Sequence, residues 1–257
     1  MSDTMYACNT KRHIAVGVSS MILFFSPALA LAQSHFVTVP GTANPWLAGM
    51  PGGATASSGD AAGAGPAFQS PVLVEGLNLS QGGWLQFSAI QGGVDNDPGC
   101  VASCDAADGG GFIHHSAGAE NGISGVHAPI NALVGVFLGS GQPDSSSAPG
   151  ALDFSAIGLD FKSLSPSLKQ VFFIGDGLAT ANQPQQFNIP AGATRLFLGT
   201  MDGYGWYNNS GSFSGNVAQL AAVPEPESWV MMLAGTGLVA VVAKRRARKK
   251  SLVREVL

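Results

Sequence analysis

Late in the chain the residues run Asp202-Gly-Tyr204-Gly205-Trp206-Tyr207-Asn208-Asn209-Ser-Gly-Ser-Phe213. One carboxylate and two amides on a Gly-rich turn offer hard oxygens on a pliable backbone, the ligand set that Ca2+ requires. Tyr204 and Tyr207 are the only tyrosines beyond Tyr6, and Trp206 stands between them. Crowding amphipathic aromatics into one loop is costly unless something covers them. A sugar has an apolar C–H face and a rim of hydroxyls, and an aromatic surface beside polar oxygens matches both. A Ca2+ held there can complete its shell with two vicinal hydroxyls. The same letters are also ordinary turn chemistry, with Asp and Asn capping backbone donors and Gly taking positive φ.

Other reactive side chains are less organised. Cys8 lies in the first 32 residues, leaving Cys100 and Cys104. In an exported, oxidising setting this pair is expected to form a local disulfide, contributing roughly 2 kcal/mol or less by loop entropy. Asp95, Asn96, Asp97, Asp105 and Asp108 surround it, but Pro98 interrupts any EF-hand spacing, so a solvated acidic loop is preferred over a metal site. His114, His115, Glu120 and His127 follow without a helical His-x-x-x-His pairing and are expected to line a ligand pocket. No nucleophile elbow, His-Glu-x-x-His motif or phosphate loop is present. Asp153 with Asp160 is the one acid–base pair that could be nominated, and no enzymatic activity is expected.

The elements that must position these groups read as strands. Strand-like runs fall at 70–79, 84–89, 132–138, 171–174, 186–189, 194–200 and 212–220, punctuated by Gly, Ser, Pro and Asn. Leu85, Phe87 and Ala89 alternate with polar neighbours, and Leu196 and Leu198 alternate with Arg195 and Phe197. Period-two patterning in short runs indicates an all-β sandwich or barrel over residues 33–222, and an antiparallel β-sandwich of the jelly-roll type is the expected form. A helical turn is expected only within 160–170, where Pro166 limits it. The Gly-, Ala- and Ser-rich stretches at 51–65 and 140–150 read as flexible loops.

The ends carry addresses. Residues 1–32 combine Lys11-Arg12, an apolar run and alternating small residues, as in a secretory signal peptide cleaved after Ala32. At the other end Pro224-Glu225-Pro226 leads into an uncharged stretch at 229–243, then Lys244-Arg245-Arg246-Ala-Arg-Lys-Lys250 and a short tail at 251–257. A helix over 229–243 would reach ~22 Å, short for a ~30 Å bilayer core but workable with snorkelling and thinning. The basic cluster would hold the C-terminus in the cytoplasm. Between the ends, Lys162, Lys169 and Arg195 face 12 acids, a net of −9 over residues 33–223. So few cations exclude a run of phosphates, and nucleic acid is not an expected partner.

The Pro-Glu-Pro box, apolar span and Arg-rich end resemble the PEP-CTERM sorting signal of Gram-negative bacteria over 223–250. The resemblance implies an exosortase-type membrane protease as partner, inner-membrane anchoring through the C-terminal helix, then release to the cell surface or matrix of an exopolysaccharide-making host. The body's Asp202, Asn208-Asn209 and Ser210-Gly-Ser-Phe213 resemble the soluble galactophilic, calcium-dependent bacterial lectins, a galactose-binding β-sandwich family. That resemblance implies Asp202, Asn208 and Asn209 as Ca2+ ligands, joined by loop carbonyls near Gly205 and by a carbonyl from an earlier strand end near 92–94. Tyr204, Trp206, Tyr207, His114 and His115 are the corresponding sugar-contact candidates. The expected function is Ca2+-dependent carbohydrate binding by an exported surface or matrix protein. The alternative is a purely structural matrix protein that self-associates.

Overall fold

The computed structural model describes residues 33–56, 69–96, 104–220, 234–242 and 244–245. Strands are β1 (Gln33–Pro40), β2 (Val72–Leu73), β3 (Trp84–Asp95), β4 (Phe112–His114), β5 (Val126–Pro129), β6 (Leu133–Leu138) and β7 (Leu152–Asp153). One helical turn, α1 (Phe154–Ile157), intervenes. Then come β8 (Ser163–Leu164), β9 (Val171–Phe173), β10 (Leu178–Ala179), β11 (Gln183–Pro184), β12 (Gln186–Asn188), β13 (Arg195–Thr200) and β14 (Ser210–Leu220).

Two sheets make an all-β sandwich, with orders β1-β14-β3-β12-β8 and β2-β13-β6-β9. A smaller sheet, β4-β5-β7, and the β10-β11 pair complete the described sheets. Period two decides which residues go inside. On β13, Leu196 and Leu198 are buried, and on β3 so are Leu85 and Phe87. All six residues of β6 are buried, as its unbroken apolar run requires of a strand covered on both faces. The sheets meet through aromatics: Phe187 of β12 lies 5.5 Å from Phe172 of β9, and Phe87 lies 5.3 Å from Phe187 edge-on.

Several expectations need correction. The sandwich is not wholly antiparallel, because β12 pairs with β8 in parallel, and in the smaller sheet β5 pairs with β7 in parallel as well. Each is a two-residue pairing made by a short edge strand that the chain reaches by crossing over rather than by a hairpin. The helical turn sits at Phe154–Ile157, where Asp153 accepts from the Ser155 N–H as its N-cap, and not within 160–170. Alternation in β3 stops at Ala89 because of a bulge: Ala89 takes φ 51, and the register with β14 shifts between Ser214 and Asn216. Pairing then resumes to Asp95 opposite Ser210, carrying β3 to the end of the sandwich where the Asp202 loop lies.

The 140–150 loop is fastened rather than loose. Lys169 Nζ donates to the Pro143, Ser146 and Ser147 carbonyls and to Ser146 Oγ, at 2.7–3.2 Å. Arg195 donates to the carbonyls of Gly139 and Gly141, and the Gln170 amide to that of Gly150. Two of the body's three cations are thus spent holding loop carbonyls.

The signal segment, the Pro224-Glu225-Pro226 box, Arg246, and much of the 51–65 loop lie outside the described residues. Cys104 is disulfide-bonded, and Cys100, its expected partner, also lies outside them. Residues 234–242 are helical and include exposed Leu238, Val239, Val241 and Val242, and Lys244 and Arg245 are helical as well. Among the described residues no helix is long and apolar enough to cross a membrane. Positions 229–233 and 243 of the expected span lie outside them.

Candidate functional site

The Asp202 loop joins β13 to β14, and its floor is built from tryptophan. Trp206 is 0% exposed, donates from Nε1 to the Thr200 carbonyl at 3.0 Å, and lies 5.4 Å from Trp46. It is therefore a core anchor and not a sugar platform, correcting the expectation from its position between two tyrosines. Gly205 takes φ 92, which opens the 3-10 turn at Trp206–Asn208 and returns Asn209 toward β14. Tyr204 and Tyr207 remain at the surface, 62% and 45% exposed.

Beneath the loop, the turn after β1 supplies a shared acceptor. The Gly41 carbonyl receives Asn209 Nδ2 at 3.1 Å and Thr200 Oγ1 at 2.6 Å. A Cβ on Gly41 would stand 2.6 Å from the Ser210 carbonyl, so only glycine allows this approach. Asp202 is fixed from both sides, with Met201 bonded to Asn131 and Ala132, and Gly203 accepting from the Ser116 N–H.

Three oxygens emerge from this packing with no hydrogen-bond partner: Asp202 Oδ2, Asn208 Oδ1 and Asn209 Oδ1, all buried. Asp202 is 4% exposed, and its other oxygen accepts from the Tyr204 N–H at 3.3 Å. Burial pushes its carboxyl above the ordinary carboxylate range, against the opposing pull of the Tyr204 and Gly203 N–H groups, the Asn209 amide and His115. Buried acceptors left unpaired are costly, and carboxylate and amide oxygens are of the hard kind that Ca2+ takes. The loop borders a cavity of about 270 Å3, whose walls include Asn96, Ile113, Ser116, Asp202, Tyr204, Tyr207 and Asn208.

The histidines lie elsewhere. His115 is 3% exposed, stacks on Trp46 at 3.6 Å and pairs with Glu120 at 2.9 Å, so it belongs to the layer under the loop. His114 alternates with the cavity-facing Ile113 on β4 and stacks instead on His127 at 3.8 Å. His127 in turn bonds Asp153 at 2.8 Å. The two corrections have different causes: alternation on β4 turns His114 away from the cavity side taken by Ile113, whereas the His115 ring is taken up by Trp46 and Glu120.

Asp153 and Asp160 are engaged locally, the first by Ser155 and His127 and the second by the Thr180 N–H. In the acidic loop, Asn131 Nδ2 bonds Asn96 Oδ1 and Asp105 Oδ2. Among the described residues, no group of three or more His, Cys, Asp or Glu is placed to hold a metal. The Asp202 arrangement is of a different kind, one carboxylate with two amides. Gly205 O accepts from the Asn208 N–H, and residues 92–94 are paired in the β3–β14 ladder, Val94 also exchanging bonds with Asp105. Asn96, just beyond them, is the β3-end residue that reaches the cavity. Ser116 and Gly41 were missed by pattern reading, and Gly41 gave no signal; Asn96 was read as part of a separate solvated acidic loop, whereas it borders this cavity.

Residues 222–248 match the PEP-CTERM protein-sorting motif. No curated protein and no solved structure gives a significant match to the chain. The motif marks an exported protein sorted through an exosortase, with membrane association for processing.

Proposed function

We propose that this exported protein binds carbohydrate or exopolysaccharide through a Ca2+ ion held by Asp202, Asn208 and Asn209, with a galactose-binding-like sandwich as scaffold. The observation that carries the reading is the trio of buried, unpartnered oxygens from those residues. When bound, the ion supplies two coordination positions for vicinal sugar hydroxyls. The chain's own residues do the rest: Trp206 and Gly41 hold the loop, and exposed Tyr204 and Tyr207 offer faces for apolar C–H surfaces. The protein acts by binding, without catalysis.

Isothermal titration of the purified body with Ca2+ and then a glycan array in Ca2+ or EGTA test this. One Ca2+ per chain and glycan signals abolished by EGTA are expected. Absence of Ca2+ heat, or glycan binding indifferent to EGTA, refutes it.

A further inference from the structure

One rung of the smaller sheet carries three titratable side chains in a row. β4 and β5 pair His114 with His127, and β5 and β7 pair His127 with Asp153. The His115 N–H donates to the Val126 carbonyl at 3.3 Å and the Ile130 N–H to the Gly111 carbonyl at 2.9 Å. These bonds fall on alternate residues, which makes His114 and His127 an intervening non-hydrogen-bonded pair, where cross-strand side chains stand closest. Their rings stack with centroids 3.8 Å apart and planes 11° from parallel. They lie on the side of β4 opposite Ile113, away from the Asp202 cavity.

The surroundings of the pair leave ring nitrogens free to coordinate. Asp153 Oδ1 lies 2.8 Å from His127 Nδ1. An ionised carboxylate only accepts, so His127 carries its proton on Nδ1 and its Nε2 keeps an open lone pair. Phe112, 5.6 Å from the His127 ring, and the stacked His114 flank it, so its direction is set before any ion arrives. His114 is exposed, and its ring nitrogens have no protein partner among the described residues. The other two described histidines are closed: His35 Nε2 and His115 Nδ1 are buried, and His115 Nε2 is bonded to Glu120. Two imidazoles on one ion, each bonded at about 2.0–2.1 Å, hold their nitrogens ~3 Å apart. Rings stacked at 3.8 Å reach that by closing ~1 Å at one edge, a small turn about χ2, which is a broad torsion for His. Imidazole suits the divalent transition metals, Cu2+ most tightly, whereas Ca2+ takes oxygen.

We propose that His114 and His127 form a surface site for a divalent transition metal, Cu2+ before Zn2+, with Asp153 positioning His127 through Nδ1. Asp153 serves the histidine and not the ion, so the protein supplies two ligands and solvent the others. That agrees with the absence, among the described residues, of three or more His, Cys, Asp or Glu placed to hold a metal. The site is separate from the Asp202 loop, so either can fail alone. The test titrates the full-length chain in detergent with CuCl2 or ZnCl2, in saturating Ca2+. The chains compared are the wild type, His114→Gln, His127→Gln and Asp153→Asn, with metal-free melting temperatures checked against wild type. Pulsed EPR of the Cu2+ forms counts the bound imidazoles, and 15N NMR of the metal-free chains reads the His127 tautomer.

One Cu2+ per chain on two imidazoles is expected, with Zn2+ bound more weakly. Either histidine variant should weaken Cu2+ binding at least tenfold and leave one imidazole on the ion. Asp153→Asn should weaken it about tenfold while keeping two, and should mix the His127 tautomers that wild type holds as Nδ1–H. Fewer than two imidazoles on Cu2+ in wild type, histidine variants within twofold of wild type, wild-type affinity in Asp153→Asn, or displacement of Cu2+ by Ca2+ overturns the proposal.

Discussion

Replacing Asp202 by Asn keeps the side chain's shape and removes its charge. In the metal-free protein the buried carboxylate has no partner for Oδ2, and burial raises its pKa above 3.8. A carboxyl with a raised folded-state pKa favours the fold while protonated. Its contribution is full below 3.8 and is lost as pH rises through the folded value. In EGTA the wild type should thus lose stability on going from pH 4 to 7, and Asp202→Asn should lose less. Ca2+ reverses the order. At 100 times its Kd a ligand adds about 2.7 kcal/mol, and a domain of 150–250 residues gains about 2–4 °C per kcal/mol, so wild type should gain ~5–11 °C. Asp202→Asn should gain under ~2 °C at the same Ca2+ concentration, having lost the ion's charged ligand. Differential scanning calorimetry at both pH values, with Ca2+ or EGTA, reads all of this. Equal Ca2+ shifts in the two proteins would refute the reasoning, as would a wild type more stable at pH 7 than at pH 4 in EGTA.

Trp206→Ala should cost about 3–5 kcal/mol as a buried-aromatic truncation and abolish Ca2+ heat, whereas Trp206→Phe should lose only about 1 kcal/mol with the bond to Thr200, read by chemical denaturation. Lys169→Met should cost about 1 kcal/mol, because most of its acceptors are solvent-exposed, and should speed hydrogen exchange selectively over 142–148. Asp153 is held down to about 2 by the Ser155 hydroxyl first and then by His127, so what it contributes to stability is present above 3.8 and lost as pH falls through about 2. Carbon-detected NMR titration should find that midpoint and show it rising toward 3.8 in Ser155→Ala.

Much of the sandwich was legible because period two is a direct consequence of one-sided burial: Leu196, Leu198, Leu85 and Phe87 were all readable as inward. β1 escaped because it abuts the expected signal segment and spreads its apolar residues thinly, although its edge pairing and the following Gly41 support the site. The two-residue parallel pairings had no local signal, since a crossover is decided by tertiary contacts. At the site, the oxygens of Asp202, Asn208 and Asn209 were legible as chemistry, yet the aromatic run misled. Sequence proximity of Tyr204, Trp206 and Tyr207 says nothing of direction, and the 3-10 turn sends Trp206 inward and the tyrosines outward. His115 was misread because nothing in its neighbouring residues announces that its ring packs on Trp46 and pairs with Glu120.

The most direct measurement is a crystal structure of the body grown with Ca2+, with the ion located by anomalous scattering. A single ion within ~2.3–2.6 Å of side-chain oxygens from Asp202, Asn208 and Asn209 is the predicted result. A loop that keeps its conformation in saturating Ca2+ with no ion among those three oxygens would contradict it.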